Sequence, residues 1–413
     1  MTLADQRPTD TTSPAADASD DERVLALCRQ LLDELPPAET DRVTFLGRQF
    51  DLGLAWVHFP EGHGGLGLSP RLQKLINETL GAAGAPSPSY GNPIGHGMAA
   101  PTIVTHGSEE QKRRYVRPLF TNEEIWCQLF SEPGAGSDVA SLSTRAVRDG
   151  DEWVVNGQKV WTTLAHVARF GMLVARTDPD VPKHKGLTYF VVDMHAPGVE
   201  VRPLYQITGE AEFNEVYFTD VRIPDAERLG EVGEGWRVSL TTLMNERVAI
   251  GGQVPPKGSG MIGQLIATWR RTGPHAGPTA AADRDRVVRL WTRAEVARLT
   301  NIRAAQQRAK GTPGPEGSIG KLAMAELNKE ITSCAIDLLG PEGMLHPDGY
   351  PMARPQTTNL WSSPSHAFLR ARANSIEGGT TEIMKNILAE RVLGLPGDVR
   401  VDKDKPWSEV PRS

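Results

Sequence analysis

Apolar positions recur at helical spacing from Asp21 to about Glu124. Leu25, Leu27, Cys28, Leu31 and Leu32 mark one stripe, and Leu72, Leu75, Ile76 and Leu80 a second. Gly62-His63-Gly64-Gly65-Leu66-Gly67-Leu68 interrupts them as a glycine loop, and Ser108, three residues before Gln111, predicts a capped helix start. Between about Ile125 and Gly235 the pattern changes to short β-rich runs bounded by turn residues: Glu152–Val155, Gln158–Trp161, Met172–Ala175, Thr188–Val192 and Glu215–Phe218. Asn156-Gly157 predicts a two-residue hairpin turn between the first two runs. Helical periodicity returns from Gly235 to about Leu395, broken by Pro/Gly loops at 251–260, 273–278 and 311–317. The long stretches Arg284 to Lys310 and Gly320 to Leu339 predict a helical bundle. The chain therefore reads as an α+β multidomain protein. It divides into a disordered tail over 1–20, a helical N-terminal domain over 21–124, an antiparallel β-domain over 125–235, a C-terminal helical bundle over 236–397 and a tail over 398–413.

Composition narrows the function classes. The 413 residues carry a formal net charge of -6 and no basic stripe, so nothing argues for nucleic acid or an anionic membrane surface as a partner. No run approaches the length of a membrane span, and the N-terminal residues lack the apolar core of a signal peptide. Cys28, Cys127 and Cys334 are too widely spaced for a disulfide framework or a zinc pattern, so each is expected as a packed side chain in a reducing cytoplasm. There is no Gly-x-Ser-x-Gly elbow, no His-Glu-x-x-His and no P-loop lysine motif, which leaves hydrolase, zinc-enzyme and NTPase readings without residues to rest on.

The chemistry is carried by Ser131-Glu132-Pro133-Gly134-Ala135-Gly136-Ser137-Asp138 and by Lys159-Val160-Trp161-Thr162-Thr163. Glycines and short hydroxyls let a backbone press against a ligand and donate hydrogen bonds to ring edges or phosphates. By themselves such residues are also an ordinary turn. They are not a dinucleotide fingerprint, because the third glycine and the strand-to-helix context are missing. Together the two segments resemble the flavin-binding signatures of the acyl-CoA dehydrogenase family, Ser/Thr-Glu-Pro-x-Ala-Gly-Ser-Asp and Lys-x-Trp-Ile-Thr. Phe59-Pro60-Glu61 with Gly64-Gly65-Leu66-Gly67, and Gly107-Ser108-Glu109-Glu110-Gln111-Lys112, are similar to landmarks of that family's helical N-terminal domain. The resemblance covers roughly residues 25 to 397 and implies FAD, an acyl-CoA substrate, an electron-transfer flavoprotein as acceptor and fatty-acid β-oxidation chemistry. It also implies a homotetramer, with a dimer or heterotetramer as alternatives.

Desaturating an acyl thioester requires loss of an α-proton and transfer of a β-hydride to flavin N5. A carboxylate raised towards neutrality by burial suits the first task, and donors to the thioester oxygen stabilise developing enolate charge. Most of the family carries its base in a Tyr-Glu-Gly-Thr motif. The corresponding run here is Ser375-Ile376-Glu377-Gly378-Gly379-Thr380-Thr381-Glu382-Ile383, which puts Gly378 at the usual glutamate position and Glu377 one residue early. The isovaleryl- and long-chain members place the base in a Glu-Arg pair on the first long helix of the C-terminal domain, matched here by Leu243-Met244-Asn245-Glu246-Arg247-Val248. Ser239, Leu243, Glu246 and Ile250 share one stripe of that helix. Glu246-Arg247 taken alone is equally an ordinary helix-surface ion pair. With Gly378 at the other location, Glu246 is the expected base, Glu377 the alternative, and Gly378 the supplier of a backbone N–H to the thioester oxygen.

The resemblance carries further residues over one by one. Gln128, Phe130, Ser131, Gly136, Ser137, Trp161 and Thr163 match positions around the flavin ring, with Ser137, Asn245 and Arg247 also toward the substrate. Asp337, Gly340 and Pro341 stand where a Gln-x-x-Gly-Gly segment meets FAD of a neighbouring subunit, so glutamine is replaced by Asp337 and a glycine by Pro341. Thr380 and Glu382 match contacts to the adenine dinucleotide. Arg270 or Arg271 in Trp269-Arg270-Arg271-Thr272-Gly273 takes the place of the family's pyrophosphate arginine, and solvated surface charge is an equal reading for each. These departures leave two other functions open: an acyl-CoA oxidase on the same fold, or a non-catalytic subunit sharing a flavin site with a paralogous partner.

Overall fold

The computed structural model describes residues 14–251, 254–273, 279–309, 316–345, 352–357, 363–397, 399, 402 and 404–411. In chain order the helices α1 (Pro14–Glu34), α2 (Arg42–Asp51), α3 (Leu72–Ala82), α4 (Ala100–His106) and α5 (Glu109–Thr121) come first. The strands follow: β1 (Trp126–Leu129), β2 (Arg145–Asp149), β3 (Glu152–Thr163), β4 (Phe170–Arg176), β5 (Leu187–Asp193), β6 (Val199–Pro203), β7 (Phe213–Pro224) and β8 (Arg228–Leu229). The chain then returns to helices: α6 (Gly235–Gly251), α7 (Met261–Arg271), α8 (Ala280–Ala309), α9 (Glu316–Leu339), α10 (Pro364–Arg370) and α11 (Thr381–Arg391). This is the helical–β–helical, α+β order that the changes of hydrophobic period predict. Of the tail expected over 1–20, residues 1–13 lie outside the described residues, and α1 begins at Pro14.

Residues 1–88 with 112–123 form one compact unit. Its core gathers Leu31, Phe45, Leu46, Leu54 and Ile76, all fully buried. The glycine loop is a packing device there: a Cβ on Gly65 would stand 2.0 Å from the carbonyl oxygen of Phe59.

Residues 89–111 with 124–413 form the second unit. Its sheet runs β6-β7-β3-β2-β4-β5-β8, mostly antiparallel, while β1 pairs parallel with β4. The two inner strands β4 and β5 are buried almost end to end, as expected of strands covered on both faces. Apolar side chains Leu129, Trp153, Phe190, Val216 and Ile223 fill one core, and a second forms where α7, α8 and α9 bring together Leu265, Leu290, Ile331 and Cys334. All three cysteines are buried and free. The Ser108–Gln111 capping box forms in both directions, with Gln111 N donating to Ser108 Oγ and Ser108 N to Gln111 Oε1.

The hairpin expected at Asn156-Gly157 does not form. Residues 152–163 make one continuous strand, and the turn into it lies at Gly150, between β2 and β3. Asn156-Gly157 is instead a register shift in the β3–β7 pairing. A Cβ at 157 would meet Thr144 Oγ1 at 2.4 Å, and the Asn156 amide exchanges hydrogen bonds with Asp220 on β7. Close approach of a neighbouring strand, not a reversal, explains the glycine.

Polar pegs fix the middle of α6. Tyr189 on β5 and Thr102 on α4 both bond Thr242, at 3.0 and 2.9 Å, and His106 Nε2 lies 2.8 Å from Thr241 Oγ1. One turn beyond these pegs stands Glu246.

Candidate active site

The two glycine/hydroxyl segments meet through a buried ion pair. Lys159, fully buried on β3, reaches Glu132 Oε1 at 2.9 Å and the carbonyl of Phe130 at 3.0 Å, and the Val160 N–H donates to the Ser131 carbonyl. Glu132 also accepts from the backbone of Ser143 and Thr144. Burial alone raises the Glu132 carboxyl, but Lys159 and the Thr144 and Ser143 donors outweigh it and hold the group below the usual carboxylate range. Thus Glu132 and Lys159 fasten turn to strand, while the glycines and Ser137 of the turn face outwards. Gly134, Gly136 and Ser137 are exposed, and a Cβ on either glycine would meet only open space.

Beyond Lys159 the strand bulges. Trp161 takes φ 61°, in the left-handed region, and leaves 60% of its surface exposed, with its ring edge against Phe213 at 6.0 Å between centroids. Such a conformation is costly for an aromatic residue and is worth a functional explanation. Thr163 is half-buried beside it, and Gln128 half-buried on β1. Phe130 is buried against Tyr189 at 5.8 Å. An exposed aromatic face and an open turn rich in N–H groups fit a flat, polar-edged ring.

On the other side, the Glu377–Thr380 turn is gripped from two directions. Arg370 on α10 places its two terminal nitrogens 3.0 Å from the two Glu377 oxygens, and Asn374 Nδ2 donates to Glu377 Oε1 at 2.7 Å. Lys321 on α9 donates to the carbonyls of Asn374, at 2.9 Å, and Gly379. Gly378 and Gly379 take φ 62° and 91°, so the turn passes through two left-handed residues in succession. Glu246 is half-buried on α6, and its charge acts on Lys321 together with those of Glu377, Glu382 and Glu326. The structure thereby brings Glu246, Lys321 and the Gly378 turn into one electrostatic neighbourhood. The side chain of Arg247 lies outside the described residues, and Asn245 Nδ2 donates to the Thr241 carbonyl one turn back.

Thr380 serves as the N-cap of α11, its hydroxyl accepting from Ile383 N, and Glu382 is exposed in the first turn. Both line a cavity of about 500 Å³ with Glu326, Lys329, Ile376 and Lys385. Asp337 pairs with Arg286 at 2.5 Å, Gly340 (φ 57°) opens a 3₁₀ turn that includes Pro341, and Arg271 stands 4.0 Å from Glu342. Arg270 is exposed at the end of α7.

Several groups escaped sequence reasoning. Glu212, 1% exposed, has an Oε2 with no hydrogen-bond partner among the described residues. Burial pushes its carboxyl up to about 7 against the pull of Arg370, with Glu377 and Glu210 adding to the rise. Its backbone carbonyl accepts from Leu164 N, just past the Trp161 bulge. Lys321 had a visible signal: Ser318, Lys321, Ala325 and Thr332 form one helical stripe, and all are buried. Trp407 had none. It tucks against the β-domain with its indole N–H on the Ser141 carbonyl and Arg176 4.2 Å over its ring. Lys183 ties Asp402 of the same segment to Asp138 at the end of the Ser131–Asp138 turn.

The sequence matches the family models for the acyl-CoA dehydrogenase N-terminal domain over residues 29–123, the middle domain over 127–221 and the C-terminal domain over 233–393. The chain belongs to the acyl-CoA dehydrogenase family. As an acyl-CoA dehydrogenase it is an oxidoreductase, in a family whose members are FAD flavoproteins. It is 39% identical over 355 residues to the acyl-CoA dehydrogenase IpdE1 of Mycobacterium tuberculosis, covering 84% of this chain and 86% of that one. It is 41% identical over 347 residues to the acyl-CoA dehydrogenase FadE34 of the same organism, covering 84% of this chain and 45% of FadE34. Among solved structures it is similar to the Tcur3481-Tcur3483 steroid ACAD, with a TM-score of 0.69, 27% identity, and coverage of 94% of this chain and 100% of that one. It is likewise similar to the ChsE4-ChsE5 complex from M. tuberculosis, with a TM-score of 0.68, 27% identity, and coverage of 95% and 100%. Among the described residues no helix of this acyl-CoA dehydrogenase is long and apolar enough to cross a membrane, and no His/Cys/Asp/Glu group is arranged to hold a metal ion.

Proposed function

We propose that the protein is an FAD-dependent acyl-CoA dehydrogenase that converts a bulky, steroid-derived acyl-CoA to its 2-enoyl-CoA, with Glu246 as the α-proton base. One observation carries the choice of base. Glu377 is engaged by two Arg370 nitrogens and by Asn374, and both Glu377 and Glu246 lie within electrostatic reach of Lys321, which grips the carbonyl of Gly379. A carboxylate whose two oxygens are already taken by three donors is aimed at those donors and not at a substrate carbon. Glu246 accepts the proton from the substrate α-carbon, and the Gly378 N–H stabilises the negative charge that develops on the thioester oxygen. When bound, FAD supplies the two-electron acceptor for the β-hydride. Trp161 and Thr163 would flank its ring from one strand, and Gln128, Phe130, Ser131, Gly136 and Ser137 from the other segment. Thr380, Glu382 and Arg270 would hold its dinucleotide portion. Asn245 and Ser137 would lie toward the substrate, and the resemblance gives the same role to Arg247.

The steroid-derived substrate class is supported by the likeness to the Tcur3481-Tcur3483 steroid ACAD, 27% identical to this chain. Electron-transfer flavoprotein is the proposed acceptor, and the cytoplasm the proposed compartment. The domain limits proposed are 21–124, 125–235 and 236–397.

A second reading has its own observation. Asp337 is paired with Arg286 and Pro341 stands in the following turn, so the segment expected to meet a neighbouring subunit's FAD is altered. Two solved relatives are described by pairs of names, ChsE4-ChsE5 and Tcur3481-Tcur3483. Both facts support a heteromeric enzyme in which a paralogous subunit completes or shares a flavin site. Anaerobic titration of the purified chain with a panel of straight, branched and steroid-side-chain CoA thioesters tests both. Flavin bleaching by the chain alone supports the first reading. FAD binding or bleaching that appears only after a paralogous subunit is co-expressed supports the second.

A further inference from the structure

The chemistry of the reaction places demands on a turn whose two middle residues are both glycines. Gly378 and Gly379 are the two most permissive residues a chain can offer, and both sit in left-handed conformations. A backbone N–H aimed at a developing oxyanion is useful only if it is held before the charge appears. Something outside the turn has to hold it.

We propose that Lys321 is the positioning residue that fixes the Gly378 N–H toward the thioester oxygen and sets the charge environment of the base. The inference rests on the reading of Gly378 and Glu246 given above. Lys321 is 1% exposed, on the buried stripe of α9, and its ammonium donates to the carbonyls of Asn374 and Gly379, one on each side of Gly378. Pinning those two carbonyls fixes the 374–375 and 379–380 peptide planes, the two ends of the short segment that carries the glycine pair. Asn374 is itself oriented by Asn328, two helical turns along α9 on the same side, and Glu377 by Arg370. The ammonium is faced by Glu246 from α6, Glu377 from the turn, Glu382 from α11 and Glu326 from its own helix. Burial draws the Lys321 ammonium down from its ordinary value, and these four carboxylates oppose that pull. By reciprocity, the cation stabilises the ionised form of Glu246.

The test compares wild type with Lys321→Met, Lys321→Gln and Glu246→Gln, all as full-length chain loaded with FAD. It uses the thioester that bleaches wild type best. Lys321→Met is expected to retain FAD while kcat falls roughly 100-fold, the scale of one lost oxyanion donor, with KM changed far less. Its acidic pH–rate limb moves to higher pH, because a cation has left the neighbourhood of Glu246. Lys321→Gln keeps N–H donors without charge, so part of kcat returns while the limb stays displaced. Amide hydrogen exchange over residues 375–380 quickens in Lys321→Met and is unchanged in Glu246→Gln. Wild-type kcat and an unmoved pH limb in Lys321→Met overturn the inference. Should Lys321→Met fail to fold, the same result in Lys321→Gln overturns it. Parallel loss of kcat, FAD and melting temperature with an unmoved limb also overturns it, leaving Lys321 as packing alone. A wild type that no thioester bleaches, alone or with a partner subunit, sinks the functional reading and this inference with it. Bleaching of wild type with an unaltered Lys321→Met removes only the inference.

Discussion

Lys159 and Glu132 meet at 2.9 Å with the ammonium fully buried and the carboxylate nearly so. The pair joins the Ser131–Asp138 turn to the strand that carries Trp161. Breaking a buried pair leaves an uncompensated charge, at about 3–5 kcal/mol. Lys159→Met is therefore expected to lower the melting temperature sharply and to weaken FAD retention. The double variant Lys159→Met/Glu132→Gln recovers part of the loss, and a thermal melt of the three proteins measures it. The pH sign is also set. The folded carboxyl is held below its unfolded value of about 4.3, so its contribution is complete above that pH and is lost as pH falls through the folded value. Wild type loses stability more steeply on acidification than Glu132→Gln.

Glu212 works in the opposite sense. Its folded carboxyl, pushed up to about 7 by burial, keeps a proton that the unfolded chain releases near 4.3. Between those values the native state binds more protons, so stability falls as pH rises. Glu212→Gln is expected to match wild type at pH 4 and to exceed it by about 1–3 kcal/mol at pH 8. Denaturant unfolding at the two pH values checks this, and a constant difference contradicts it.

The two candidate bases separate by substitution. Glu246→Gln should retain flavin and lower the rate of flavin reduction by roughly 10²–10⁴, the range of general-base catalysis. Glu377→Gln keeps one acceptor oxygen for Arg370 and Asn374, sets an NH2 donor against the second Arg370 nitrogen and loses the charge, so its effect is expected on turn stability and KM. Single-turnover reduction of each variant resolves them: a larger loss at Glu377 transfers the role of base to that residue.

The Trp407 segment supplies a further case. Replacing the buried indole with Ala removes its hydrogen bond to Ser141 and its contact with Arg176, at about 3 kcal/mol. Because Lys183 couples that segment to Asp138, the expected signature is a raised KM for acyl-CoA in addition to lower stability. An unchanged KM with lowered stability would confine the segment to a packing role.

How legible was all this in the chain? The helical ends and the β-centre were legible, because an amphipathic stripe is a local signal that the core reinforces. The capping box was legible for the same reason: Ser108 and Gln111 satisfy each other within one turn. The hairpin was misread because Asn156-Gly157 answers to partners far along the chain, Thr144 at its glycine and Asp220 at its amide. Within the site, the residue types of the two motifs were visible, but their division of labour was not. Glu132 and Lys159 point inwards to each other while Gly136 and Trp161 face out. Arg370 and Lys321 became visible only when distant helices converged on one turn.

The paired left-handed glycines at 378 and 379 also bear on how this site can change. A glutamate placed at 378 would enter a φ of 62° at a cost of about 1–2 kcal/mol, beside a carboxylate already committed to Arg370. Moving the proposed base from α6 into this turn would therefore be an uphill step, because the backbone at 378 suits only a residue without a side chain.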